Sequence, residues 1–185
     1  MSAIYTLGHS TRPLAEFLAL LDENGIRLLT DVRRYPASRR HPQFSRPALE
    51  ASLQAAGIDY VHEPDLGGRR ATRPDSPNTA WRVAAFRGYA DHMNTPEFQS
   101  ALARLIARGV GAAARPTAIL CAEAVPWRCH RRLIADALVA RDVPVLHILG
   151  PGRLDPHALH PDARVLPDGN LVYPAGGSEQ GRIEF

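Results

Sequence analysis

Short apolar runs alternate with segments of helical period along most of this chain, and that alternation limits the fold more than any other feature. Ile4 to Leu7, Ile26 to Val32, Ile58 to His62, Thr117 to Leu120 and Pro144 to Leu149 read as strands. Pro13 opens a helix through Phe17, Leu18 and Leu21 that stops near Asn24-Gly25. Pro47 to Ala56 gives a second helix, closed by Gly57. Val83 to Met93 gives a third, and Thr95 caps a fourth that runs to about Arg108. Strand–helix alternation predicts an α/β fold: a mostly parallel sheet of about five strands with helices on both faces. Arg164 to Tyr173 adds a small C-terminal hairpin around Asp168-Gly169. Residues 1–175 are expected to form one domain and 176–185 a flexible tail. Pro64 to Trp81, rich in Gly, Pro and Arg, reads as a long loop of the kind that is usually functional or mobile.

Composition narrows the setting. A hydrophobic content of 45% with 22% charged residues suits a globular protein. No run is long enough to span a membrane, and the N-terminus is expected to enter a strand directly, with no signal peptide. Two cysteines do not make a secreted disulfide framework. A cytoplasmic, reduced protein with no membrane partner is expected. All 22 basic side chains are arginine, for a net charge of +3. A genome rich in G and C produces that bias without functional cause, and so mild a charge does not by itself indicate nucleic acid. Arginine is nonetheless the better residue for bidentate contacts to phosphate.

The densest chemistry lies between Ala118 and Arg132, AILCAEAVPWRCHRR. Both cysteines fall there, with Glu123, His130 and three arginines. The spacing predicts a strand ending at Cys121, a turn through Glu123-Ala124-Val125, and a helix opening at Pro126. Cys121 and Glu123 point the same way if the strand persists that far. Leu133, Ile134, Ala137 and Leu138 form the helix's apolar stripe, and Cys129 and His130 lie one turn above it on the same face. Cys129 is placed in the first helical turn, where the dipole favours a thiolate. Arg132 and Asp136 are expected as an outward surface pair. No capping residue stands at Ala124 or Val125, which leaves N–H groups free for Glu123, water or an anion.

In open α/β sheets ligands bind beyond the carboxyl ends of the strands. The reactive residues cluster there: His9 and Ser10, Asp31 and Arg33, His62 and Glu63, Cys121 and Glu123, with His147 inside the fifth strand. Asp31 and Arg33 share a side, either as an ion pair locking the strand end or as a base or metal ligand beside an anion clamp. Arg33, Arg34, Arg39, Arg40 and Arg46, interleaved with Tyr35, His41 and Phe44, make either a solvated loop or a surface for single-stranded nucleic acid or nucleotide. The cysteines are open to three readings: a metal site with His9, His62, His130 or His147, a nucleophile with a resolving thiol, or two core residues. The C-x7-C spacing is not that of the common zinc motifs. There is no P-loop, no G-x-G-x-x-G after a strand, no G-x-S-x-G elbow and no C-x5-R loop.

Leu7-Gly8-His9-Ser10, Asp31-Val32-Arg33, Leu66-Gly67-Gly68, Phe86-Arg87-Gly88-Tyr89-Ala90 and the Cys121 to Arg131 motif, C-x-E…P-x-x-C-H-R, together resemble the domain-of-unknown-function 488 family of prokaryotic proteins. The resemblance runs from residue 4 to about 150. It implies no substrate, because the family carries no established activity. It marks Gly8-His9-Ser10, Asp31-x-Arg33 and the cysteine motif as the site.

The expectation is an enzyme acting on a phosphate-bearing substrate, a nucleotide or nucleic acid. His9, Asp31, Cys121, Glu123 and Cys129 are the candidates for chemistry. Ser10, Arg33, Arg39, Arg40, His130 and Arg131 are the candidates for holding the substrate. Zinc or iron are the metals considered, with no ligand set fixed. The rivals are a non-catalytic nucleic-acid or nucleotide-binding module and a thiol redox switch built on the cysteine pair.

Overall fold

The structure is a computed structural model that describes residues 2–176. Its elements run β1 (Ile4–Gly8), α1 (Leu14–Glu23), β2 (Leu28–Asp31), α2 (Arg46–Ala55), β3 (Asp59–His62), α3 (Ala84–His92), α4 (Pro96–Val110), β4 (Thr117–Cys121), α5 (Arg131–Val139), β5 (Val145–Gly150), β6 (Arg153–Pro156), β7 (Arg164–Val165) and β8 (Leu171–Val172). The expected tail lies, from residue 177 on, outside the described residues.

Six strands form the main sheet in the order β3-β2-β4-β1-β5-β6. The first five are parallel, and β6 returns antiparallel on β5. β7 and β8 pair as the expected C-terminal hairpin. The fold class is therefore the expected one, with β6 as a sixth strand. β4 is inserted between β1 and β2, so its end is walled by both neighbours.

Period two along β4 divides the core. Ala118 and Leu120 face α1 and α2, where they meet Leu7, Phe17, Leu21, Leu49 and Leu53. Ile119 and Cys121 face the other layer, with Tyr89, Phe98, Leu105, Leu133 and Ile134 from α3, α4 and α5. All five residues of β4 are buried, as expected for a central parallel strand covered on both faces. α4 starts as expected, with Thr95 Oγ1 accepting from the Phe98 N–H at 3.3 Å.

The long loop after β3 is pinned rather than loose. Tyr89 OH donates to Leu66 O at 2.6 Å, and His92 Nε2 to Asp65 O at 2.6 Å. Asp91 accepts from the Arg73 N–H and from Asn78 Nδ2, each at 2.8 Å. α3, which carries the Phe86–Ala90 motif, thus fixes the loop that borders the cleft described below. No helix among the described residues is long and apolar enough to cross a membrane.

Two local expectations are corrected. Pro126 opens a single 3-10 turn, Pro126–Arg128, and not the helix. Cys129 then extends (φ −132°, ψ 149°), and α5 begins only at Arg131. Cys129 therefore precedes the first helical turn, and its Sγ accepts the Arg131 N–H at 3.5 Å in the manner of a cap. Asp136 is not on the surface: it is fully buried, bonded to His157, His160 and Tyr173, while Arg132 lies over the Trp81 ring. Those partners lie far along the chain, so an i,i+4 reading could not find them.

Candidate functional site

Register brings the strand ends together. Gly8 stands opposite Cys121, and Asp31 opposite Leu120. The His9 N–H donates to Cys121 O at 3.0 Å and the Ser10 N–H to Ala122 O at 2.9 Å, so the β1 exit is stitched to the β4 exit. Ser10 holds φ 45°, a left-handed conformation uncommon outside glycine. A methyl group on Gly8 would lie 1.7 Å from Glu123 O, so only glycine admits this close crossing.

Beyond that crossing Cys121, Cys129 and His130 converge. Their ligand-type atoms lie within 4.8 Å of one another. His130 Nδ1 is 3.8 Å from Cys121 Sγ and 3.7 Å from Cys129 Sγ. His130 Nε2 is 3.1 Å from Val32 O. Both cysteines are free and buried. The hydrogen bond to Cys129 and burial both push the Cys121 thiol up. Burial opposes a charge on Cys129 too, but the Cys121 thiol, His130 and Arg131 together outweigh it and hold Cys129 well below the usual thiol range.

Arg131 is 1% exposed. Its Nη1 donates to Thr6 Oγ1 at 3.2 Å and its Nη2 to Glu123 O at 2.6 Å. Its Nε has no partner among the described residues. Arg131 therefore shapes the Glu123 turn and lends positive charge to the sulfurs from behind. The Glu123 side chain is exposed and lines the cleft, because β4 ends at Cys121 and the turn swings it outward.

Asp31 and Arg33 form a buried ion pair. Arg33 Nη2 reaches Asp31 Oδ2 at 2.6 Å and Nε reaches Oδ1 at 2.9 Å. Tyr60 OH donates to the same carboxylate at 2.8 Å, and Arg33 Nη1 to Phe44 O at 2.7 Å. Burial works against the Arg33 charge, but the bonds to Asp31 hold its pKa above the ordinary value. Burial raises the Tyr60 phenol, with Asp31 adding to the effect. His9 stacks on Phe44 at 4.4 Å, and its Nε2 is 3.4 Å from Arg33 Nη1. Burial, with Arg33 beside it, lowers the His9 pKa to about 4, so the ring is neutral near pH 7.

A cleft of about 370 Å³ opens above these groups. Cys121, His9 and His130 are its floor, with Arg33, Arg34, Tyr35, Gly68, Arg69 and Glu123 around them. Arg34 donates to Arg69 O at 2.7 Å and lies over the Tyr35 ring. Arg69 holds φ 60°. Arg69 thus lines the cleft in a left-handed conformation, and Ser10 follows His9 of the floor without lining it; strain of this kind is associated with functional sites. Arg39 and Arg40 are exposed on the loop following Ser38, with no ion pair to a described residue. Among the interleaved rings Tyr35 is 63% exposed and His41 half-buried. Phe44 is core.

The other expected residues lie apart. Glu63 is a buried clamp on Arg104 and Arg108 of α4. His62 donates to Arg33 O at 2.8 Å. His147 lies beneath α5, outside the cleft. Sequence reasoning missed Arg69 as a cleft residue, whereas Tyr35 was legible as an aromatic in the arginine loop. Position in a long Gly-rich loop beside Leu66-Gly67-Gly68 was the available signal for Arg69. A larger depression of about 490 Å³ along β3 holds no thiol or histidine, and its Arg115 is paired with Asp59.

Fold and site together define an α/β protein with two thiols and a histidine gathered at the carboxyl edge of a parallel sheet, under an arginine-lined cleft. The chain belongs to the family described as Domain of unknown function DUF488, which matches residues 13–138. The match spans four of the five motifs above and begins after Leu7–Ser10. No curated protein and no solved structure matches the chain.

Proposed function

We propose that this protein is an enzyme acting on a phosphate-bearing substrate, a nucleotide or a single-stranded nucleic acid, in the cleft at the ends of β1, β2 and β4. One observation carries the reading. Arginines without carboxylate partners, Arg34 and Arg69 on the walls and Arg39 and Arg40 on the adjoining loop, surround a floor of Cys121 and His130. Arginine in that position recognises phosphate oxygens through paired N–H groups. The exposed ring of Tyr35, with Arg34 over it, offers a stacking surface to a base. Arg33 serves differently: tied to Asp31, it holds the floor rigid. A reducing compartment such as the cytoplasm keeps both thiols free.

The test is binding of a fluorescent oligonucleotide and of a nucleoside triphosphate at several salt concentrations. Affinity is expected to fall with salt, and the Arg39→Ala/Arg40→Ala double variant to show a shallower slope. Salt-independent binding, or none at low salt, would remove the phosphate reading. A second reading, a thiol switch, is supported by the two sulfurs lying within 4.8 Å of each other. It expects peroxide to close a Cys121–Cys129 disulfide reversibly. Two thiols still titratable after peroxide would count against it.

A further inference from the structure

The floor of the cleft admits a more definite assignment. We propose that Cys121 Sγ, Cys129 Sγ and His130 Nδ1 hold one zinc ion, with the fourth coordination position open to the cleft. The spacing fits. Around a tetrahedral zinc with bonds of about 2.3 Å to sulfur and about 2.0 Å to nitrogen, sulfur and nitrogen ligands stand about 3.5 Å apart. The two observed separations are 3.8 and 3.7 Å, and all three atoms fit within 4.8 Å.

The histidine is oriented for the task. A carbonyl oxygen only accepts, so Val32 O at 3.1 Å fixes the proton of the neutral ring on Nε2. Nδ1 then presents its lone pair to the two sulfurs. A ligating histidine commonly donates its other N–H to a backbone carbonyl in this way. The sulfurs are provided for as well. The Arg131 N–H points at Cys129 Sγ from 3.5 Å, and its buried guanidinium, bonded among the described residues to Thr6 Oγ1 and two carbonyls, supplies positive charge that stabilises thiolates. A methyl group on Gly68 would stand 3.0 Å from His130 Nδ1, so glycine there leaves room beside the ligand atom.

The donor set selects the ion. Two thiolates and an imidazole suit zinc and not the oxygen-seeking magnesium or calcium. Three protein ligands with an open fourth position are the arrangement of catalytic rather than structural zinc. Cys121 and His130 line the cleft and Cys129 does not, so the open side faces the cleft. Water or a phosphate oxygen would take that position, and this last point alone rests on the phosphate reading.

The experiment uses the full chain, purified without chelator. About one zinc per chain is expected by elemental analysis. Cys121→Ser, Cys129→Ser and His130→Ala should each lower zinc affinity at least tenfold, while His62→Ala keeps it. To separate metal loss from a folding defect in a variant, the wild-type chain is also stripped and reloaded with Co(II). Thiolate-to-cobalt charge transfer together with an intense tetrahedral visible band is expected. A stripped, reduced chain that binds neither Zn(II) nor Co(II), or zinc retained by all three ligand variants, overturns the site. The readout contains no nucleotide, so failure of the phosphate reading leaves it untouched, and the converse also holds.

Discussion

His147 Nε2 lies 3.0 Å from His157 Nδ1, and this contact joins a buried chain of hydrogen bonds from Arg131 to Asp136. The chain can run in one direction throughout. Arg131 Nη1 donates to Thr6 Oγ1, and Thr6 Oγ1 donates to His147 Nδ1 at 2.7 Å. His147 Nε2 donates to His157 Nδ1, and His157 Nε2 donates to Asp136 Oδ1 at 2.8 Å. In this direction each imidazole gives one hydrogen bond and accepts one.

Stability should therefore fall on acidification. Burial, with His157 and Arg131 adding to it, lowers the His147 pKa from 6.5 to about 4. Asp136 and Cys129, which also face the ring, oppose that shift without reversing it. Between those two values the unfolded chain binds a proton that the folded chain does not, so stability rises with pH there and is lost as pH falls through the window. Urea midpoints at pH 7.5, 6.0 and 4.5 should decline, and His147→Gln should show a smaller decline. Parallel curves for both proteins would show that His147 does not titrate as described.

Asp136 ends that chain and anchors the C-terminal segment. Its carboxylate also accepts from Tyr173 OH at 2.9 Å and from the His160 N–H at 3.0 Å. Asp136→Ala leaves buried donors unpaired and should cost about 2–5 kcal/mol. Asp136→Asn, which keeps one acceptor oxygen, should cost about half as much. Chemical denaturation with an unchanged slope reads both. A loss under about 1 kcal/mol for the alanine would mean that the segment is held by Trp81 and its neighbours instead.

What could be read from the sequence follows from what is local. The five parallel strands were legible because their apolar runs are bounded by turn residues, and Thr95 because its cap acts within its own turn. β6 was not, since Arg-Leu-Asp-Pro is exposed at every position and carries no alternation. That His9 and Cys121 line one cleft followed from fold class, whereas Asp31 lies fully buried against Arg33 and does not line it. That His130 Nδ1 faces both sulfurs did not, because it depends on the extended Cys129 and on Val32, almost a hundred residues earlier. Arg69 reaches the cleft only through a left-handed turn that its sequence does not announce.

Asp31 and Arg33 should behave as a unit. Asp31→Asn removes the charge that Arg33 is buried against and should cost about 3–5 kcal/mol. Replacing both by apolar residues of similar volume should recover much of that, giving a large coupling energy in a double-mutant cycle. Additive single effects would show that each residue acts alone.

Gly8 and Gly150 end adjacent strands, and together they test the crossing on which the site rests. At Gly150 an added methyl meets nothing within 4 Å. Gly150→Ala should therefore be neutral within about 0.5 kcal/mol, or slightly stabilising through the unfolded chain. At Gly8 the methyl would fall 1.7 Å from Glu123 O, 2.6 Å from its carbonyl carbon and 2.9 Å from Arg131 Nη2. No flexible side chain can yield there, so the Glu123 peptide must move. That peptide oxygen is the closest acceptor of Arg131, and losing it strands a buried guanidinium. Gly8→Ala should cost more than the roughly 1–3 kcal/mol of ordinary overpacking. It should also shift Arg131 relative to Cys129, so that reactivity or metal retention at the cysteines changes even in the folded fraction. Thermal melts of the two variants, with thiol titration of the folded protein, make the comparison. If Gly8→Ala melts with Gly150→Ala, the close approach of β1 to the Glu123 turn is not a constraint on this fold.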